Sequence, residues 1–461
     1  MSINAAFVLP HPPLIIPAVG RGEQTRISKT IQAYQEVARR IKAIRPAIII
    51  LSSPHAIMYS DYIHISPGKK AQGSFSKFGA ADVQITVDYD QTFVQDLCLQ
   101  AKALGFPAGT LGERSPALDH GSLVPLYFIN QEYTDYKLVR VSLSGLSLLS
   151  HYQLGKIIQQ VAEKRSENSV FIASGDLSHK LKENGPYGFH PEGPRFDQDM
   201  TQAMENADFM RFLTCSEQCS EQAAECGHRS LVIMAGALDG RKVSAELLSY
   251  EGPFGVGYAI AAFKVIEKDS SRHFDQMVLQ AEQKTLVDQK NAEDSLVRLA
   301  RLALETYVLS KKTISPPSTF PQELTNERAG VFVSLKLNQR LRGCIGTTQP
   351  TTSSIAEEII QNAISAGTHD PRFDPVSVDD LSRIVYSVDV LKPTESISSI
   401  DELDPKRYGI IVRHQHRQAL LLPNLEGIDT VQEQLQVVLR KAGIKETESY
   451  TMERFEVVRH F

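Results

Sequence analysis

The chain has 461 residues, of which 42% are hydrophobic and 22% charged, and a formal net charge of −5. That length predicts two or three domains, each able to bury a core, and the charge shows no basic bias toward nucleic acid or an anionic membrane. No apolar run approaches the roughly 20 residues that span a bilayer, and the first ten residues lack the basic start of a signal peptide. The five cysteines are scattered, which fits reduced thiols better than a disulfide framework. A cytoplasmic location is expected.

The opening reads as α/β. Ala5–Leu9 is a short apolar run stopped by Pro10-His11-Pro12-Pro13. Helical spacing follows over 23–44, at Ile27, Ile31, Tyr34, Val37 and Ile41. The β-branched run Ile48-Ile49-Ile50-Leu51 suits a strand buried on both faces and ends in Ser52-Ser53-Pro54-His55. Strands are predicted at 138–143, 170–174 and 258–263, and helices at 152–164, 196–213 and 218–238. The alternation predicts a mainly parallel or mixed sheet flanked by helices on both faces. Residues 267–292 are rich in Glu, Lys, Asp and Gln and offer little to a core. The first domain is therefore set at 1–266 and the second at 267–461, with its own core over about 290–457. That second part carries helical spacing over 295–310, 354–366 and 431–442. It carries strand patterns over 330–337, 384–391, 409–412 and 418–422, and reads as a separate α+β domain.

Three histidines stand just past predicted strand ends: His11, His55 and His179. Ligands of open α/β sheets bind outside the carboxyl ends of strands, so three imidazoles delivered there could meet at one metal. His120, in Asp119-His120-Gly121-Ser122, is a fourth candidate in a turn-like loop. Taken singly, each histidine is read more simply as a loop residue with a satisfied hydrogen bond. Imidazole suits Fe, Zn, Cu and Ni alike, so the ligand type does not choose the metal. Cys215 and Cys219 lie four apart but lack a second pair for a zinc site.

Val8–Pro13, Ser53-Pro54-His55, Asp119–Leu126 and Ser174–His179 together resemble the catalytic-subunit family of class III extradiol ring-cleavage dioxygenases, a superfamily that also holds Memo. The resemblance spans about residues 3–264. It implies non-haem Fe(II) held by His11, His55 and one later ligand, with Zn or Cu as other occupants. It implies His179 as the acid/base and His120 as a substrate-contacting or supporting histidine. The later ligand has two candidates. Glu225 would complete a two-histidine, one-carboxylate triad, while Cys226 stands where Memo has a cysteine. Adjacent residues of a helix point about 100° apart, so one of the two faces the metal.

In the second half, Arg340-Leu341-Arg342-Gly343-Cys344-Ile345-Gly346 is expected to leave a strand and enter a turn, and Asp370–Pro375 to form a rigid charged loop. Arg342, Cys344 and Arg372 form either a pocket for an anionic ligand or a turn around a small buried thiol. His414-Gln415-His416 reads as a hairpin turn. Residues 290–457 resemble the AMMECR domain, most specifically through Leu341–Gly346. The joined order resembles AmmeMemoRadiSam proteins, which implies a radical SAM partner. Two functions stand. One is an Fe(II) extradiol-type enzyme acting on a catechol or aminophenol. The other is a Memo-like metal-binding or redox protein working with the radical SAM protein without ring cleavage. A third reading, a scaffold with structural histidines, and a homo-oligomeric state both stay open.

Overall fold

The structure is a computed structural model. It describes residues 3–317, 320–338, 340–425 and 427–461. The chain forms two compact units, Met1–Gln280 and Ala281–Phe461.

The first unit is built on a six-stranded sheet. Its strands are β1 (Ile3–Leu9), β2 (Ile48–Ser53), β3 (Lys137–Ser142), β4 (Ser169–Ser174), β5 (Arg241–Glu251) and β6 (Tyr258–Lys268). Their order is β3-β2-β4-β1-β6-β5. The first four run parallel, and β6 and β5 add an antiparallel edge. The continuous apolar run of β2 is explained by two cores. Ile48 and Ile50 join one cluster and Ile49 and Leu51 the other. Side chains alternate across a strand, so a strand covered on both faces carries no polar positions. One face is covered by α1 (Ser28–Ile44) and α2 (His120–Ile129), through Tyr34, Val37, Ile41, Leu123 and Leu126. The other is covered by α3 (Leu148–Glu163), α4 (Glu192–Asn206) and α5 (His228–Ala237).

The helices predicted over 196–213 and 218–238 are four shorter ones, Glu192–Asn206, Phe209–Thr214, Glu217–Ala223 and His228–Ala237. Ala207 and Ala224 take left-handed backbone, with φ of 52° and 53°. Asp208 caps Phe209–Thr214, which restarts after Ala207, and Ser216 caps Glu217–Ala223, which ends at Ala224. Alanine is a strong helix former, so neither break shows in the residue pattern. His120 is the first residue of α2, capped by Asp119, rather than part of a turn-like loop. Edge strand β5 and the hairpin Lys70–Phe75/Ala80–Asp88 are additions to the elements read from the sequence.

Helix Phe274–Ala292, whose only buried residue is Phe274, runs from the first unit into the second. The second unit is α+β. One antiparallel sheet orders Arg340–Gly346, Val331–Leu337, Ile384–Leu391 and Val457–His460. A second orders Glu395–Ile397, Thr451–Phe455, Gly409–His414 and Arg417–Leu421. Helices Ser295–Ser310 and Ile355–Thr368 pack on the first sheet, and Val431–Ala442 on the second. Arg340–Gly346, expected to enter a turn, is itself a strand, paired antiparallel with Val331–Leu337. The residues between His414 and Arg417 form the hairpin turn, with Gln415 at φ 53°.

Helices α3 and α5 approach back to back. A Cβ on Gly236 would stand 2.0 Å from the Tyr152 carbonyl oxygen, and one on Gly155 would stand 2.1 Å from that of Ile233. Glycine costs about 1 kcal/mol against alanine inside a helix, so close packing must offset that loss here. Gly236→Ala is expected to lower stability by about 3 kcal/mol through overpacking, read as a fall in the thermal midpoint. An unchanged midpoint would contradict this contact.

Candidate metal centre

The site lies at the carboxyl ends of β1, β2 and β4. His11 follows β1, His55 follows β2, and the segment 175–179 follows β4. These are adjacent strands of the sheet, which is why residues far apart in sequence converge.

His11 is almost fully buried, at 1% exposure. Its backbone N–H donates to Asp176 Oδ1 at 2.7 Å. Its ring Nδ1 lies 3.0 Å from Ser174 Oγ. Ser174 spends its own proton on the Gly121 carbonyl, at 2.6 Å. The serine oxygen can therefore only accept from His11, so Nδ1 carries the hydrogen and Nε2 presents a lone pair. That lone pair points to His55 Nε2 at 2.9 Å and to Cys226 Sγ at 3.6 Å. Burial is the largest cause that holds His11 well below the usual histidine range, followed by the neighbouring His55 and His120. Partial desolvation also lowers His55. Both rings are neutral at pH 7, the state in which imidazole binds metal.

Cys226 reaches the site from the loop before α5. Its own N–H and that of Gly227 both donate to the Asp176 carbonyl, at 3.4 and 3.1 Å. The Asp176 N–H donates back to Cys226 Sγ at 3.3 Å. Two glycines permit this approach, since a Cβ on Gly175 would stand 2.1 Å from Gly227 Cα. Burial raises the thiol well above its ordinary range. Glu225, its neighbour, turns elsewhere: its carboxylate accepts the His228 N–H at 2.5 Å. Burial pushes that carboxyl up to about 7. The pair lies on the loop between two helices, not in a helix as the sequence reading assumed, so loop geometry separates their directions.

Ligand atoms of His11, His55 and Cys226 all lie within 4.8 Å of one another. Neighbouring ligands at about 2.1 Å for nitrogen and 2.3 Å for sulfur from one ion fall roughly 3 to 3.6 Å apart. The spacings from His11 to His55, 2.9 Å, and to Cys226, 3.6 Å, suit that pattern, so the donor set fits a transition metal. Two imidazoles and a thiol are softer than two imidazoles and a carboxylate.

His120 stacks on His55, ring centroids 4.0 Å apart, and meets His11 edge-on at 5.3 Å. Burial lowers it to about 4. Asp119 anchors this corner. It caps α2 through Ser122 and accepts from Ser53 Oγ at 2.5 Å. His179 is lowered mainly by burial, and its Nδ1 is buried with no hydrogen-bond partner. Its segment is held by Asp197, which accepts from Ser178 N–H and Tyr250 hydroxyl at 2.7 and 2.6 Å. Asp176, Ser174, Asp119 and Asp197 were not singled out as site residues from sequence. The first two stand inside the Ser174–His179 segment and Asp119 inside the segment with His120. Asp197 sits on α4 and gave no signal.

The structure holds Arg342, Cys344 and Arg372 at the first sheet of the second unit. Arg342 donates to the Asp374 carbonyl at 2.6 Å and to Asp380 at 3.2 Å. Arg372 pairs with Asp370 at 2.7 Å and donates to the Cys344 carbonyl at 3.1 Å. Both guanidinium groups are thus spent on internal partners. Cys344 Sγ accepts from Ser334 Oγ at 3.2 Å.

Residues 5–261 match the family described as the catalytic LigB subunit of aromatic ring-opening dioxygenase, and residues 297–460 match AMMECR1. A Clostridium acetobutylicum protein is 40% identical over 468 aligned residues, covering 100% of this chain and 99% of that one. A Thermotoga maritima protein is 48% identical over 36% of this chain and 98% of its own length. The crystal structure of an uncharacterised Pyrococcus horikoshii protein is 35% identical, covers 36% of this chain and 88% of that chain, and has a TM-score of 0.34. Among the described residues no helix is long and apolar enough to cross a membrane. With one match running over more than half of the chain and a relative aligned along all of it, the chain belongs to the family of the catalytic LigB subunit of aromatic ring-opening dioxygenases, with an AMMECR1 domain following.

Proposed function

We propose that the first unit binds a divalent transition metal, Fe(II) foremost, through His11, His55 and Cys226, and acts on a catechol- or aminophenol-type aromatic. The observation that carries this reading is the convergence of two neutral imidazoles and a thiol within 4.8 Å, flanked by two further neutral histidines. An ion held by His11, His55 and Cys226 would supply Lewis-acid chemistry toward the ring oxygens and dioxygen.

The chain's own residues do the rest. Ser174 fixes the His11 tautomer through the Nδ1 hydrogen. The Asp176 N–H steadies the Cys226 sulfur. His179, close enough to His55 to feel its charge, would take a proton from a substrate hydroxyl and return it. His120 stacks on His55 and holds that ring in place.

A second reading is favoured by one observation: Cys226, and not Glu225, stands with the histidines. In it, the centre is a Memo-like metal or redox site working with a radical SAM protein, without ring cleavage. The role of the AMMECR1 domain is left to that partnership.

Metal content should be near one ion per chain in anaerobically purified protein and absent from the His11→Ala/His55→Ala double variant. Equal content in both would overturn the site. His179→Ala should keep the metal and lose ring cleavage by about 10²-fold or more. Loss of an NADH-independent, oxygen-dependent colour change from catechol measures it, and undiminished turnover would remove His179 from the chemistry.

The pH dependence has a definite sign. Both ligand histidines are lowered, so they bind no competing proton at neutral pH, whereas the raised Cys226 thiol must lose one to bind metal. Metal affinity should therefore rise about tenfold per pH unit between about pH 7 and 9, one proton being released. A flat profile from competition titrations would show that no thiol is displaced.

A further inference from the structure

Two aromatic side chains remain exposed beside the candidate metal centre, and neither is needed to hold it. Phe78 closes the short turn Ser76–Phe78 in the hairpin Lys70–Phe75/Ala80–Asp88. Its ring meets His120 edge-on, centroids 5.5 Å apart, yet 36% of the residue stays exposed. Tyr187 sits at the tip of the loop that follows His179. Its ring meets His179 edge-on at 5.2 Å and an 87° angle, and 61% of the residue is exposed.

The Tyr187 loop is tied down at its base. Leu181 bridges to Phe189, the Leu181 N–H donates to the Gly255 carbonyl, and the His190 N–H donates to Lys180. The tip is presented by a braced frame, with Gly188 at φ 75° completing the turn. The part of each ring left in water gains nothing for stability and is available to a partner. Here two such rings, on two separate segments, each touch one of the two histidines that flank the donor trio. Edge-on contact with the histidine leaves ring surface free for an incoming flat ring.

We infer that Phe78 and Tyr187 are specificity-determining residues that grip the flat faces of an aromatic substrate while its oxygens meet the metal. The inference rests on the reading of the centre as an aromatic-substrate site. The residues position substrate and carry no step of the chemistry. Ring–ring contact of this kind is worth about a tenfold change in Kd for each side chain removed.

The test is anaerobic calorimetric binding of catechol to Fe(II)-loaded full-length protein, with metal content measured on the same samples. Phe78→Ala and Tyr187→Ala should each weaken binding about tenfold at unchanged metal content, and raise KM more than they lower kcat. Tyr187→Phe should bind as tightly as the wild type, because the ring and not the hydroxyl makes the contact. Wild-type affinity in both alanine variants would overturn the inference while leaving the aromatic-substrate reading intact. Loss of metal in either variant would also overturn it, by giving that ring a structural role. A metal-loaded wild type that binds no catechol would overturn the aromatic-substrate reading itself, and this inference with it.

Discussion

The buried chain of hydrogen bonds from His11 Nδ1 to Ser174 Oγ to the Gly121 carbonyl constrains everything else at the site. It links β1, β4 and α2, three elements that meet at one end of the sheet. A serine hydroxyl has one proton, and here the carbonyl takes it. The imidazole must then donate from Nδ1 and face inward with Nε2. An outward-facing neutral nitrogen would leave a buried lone pair without a partner, at a cost of about 1 to 3 kcal/mol. Tautomer and ring orientation are thus set by the protein before any ion arrives, as the hydrogen-bond partners of ligating histidines do.

The sulfur reaches this frame only because two backbones can nearly touch. Gly175 and Gly227 leave no room for a Cβ between them. Their contact lets Asp176 exchange hydrogen bonds with the loop that carries Cys226. The same helix, α5, is pressed on α3 by Gly155 and Gly236. Small residues therefore place the thiol, by controlling how close the α5 loop comes to the end of β4. Glu225 meanwhile spends its carboxylate on the start of α5, where it answers an otherwise unpaired N–H.

Much of this was legible in the sequence, for physical reasons that differ by element. The run Ile48–Leu51 advertised a strand covered on both faces, and the helix Ser295–Ser310 lies where its spacing put it. His11, His55 and His179 were visible because each stands at a strand end. The choice between Glu225 and Cys226 was not legible, because it depends on a left-handed alanine at 224 that no propensity announces. The divisions of the helices after residue 190 were hidden for the same reason. Phe78 gave no signal, because an exposed aromatic in a loop carries no periodicity, whereas the loop of Tyr187 was visible as a segment after His179 that could cover the site or simply connect elements. The engagement of Arg342 and Arg372 with Asp380 and Asp370 needed the folded second unit to be seen.

The proposed ion is bound by a sulfur together with two imidazoles. Cobalt(II) substitution reads this directly, because a thiolate ligand gives an intense near-ultraviolet charge-transfer band that carboxylate does not. That band is expected in the wild type and in Glu225→Gln, and its loss in Cys226→Ser. A wild-type spectrum without the band, or a band that survives in Cys226→Ser, would contradict it.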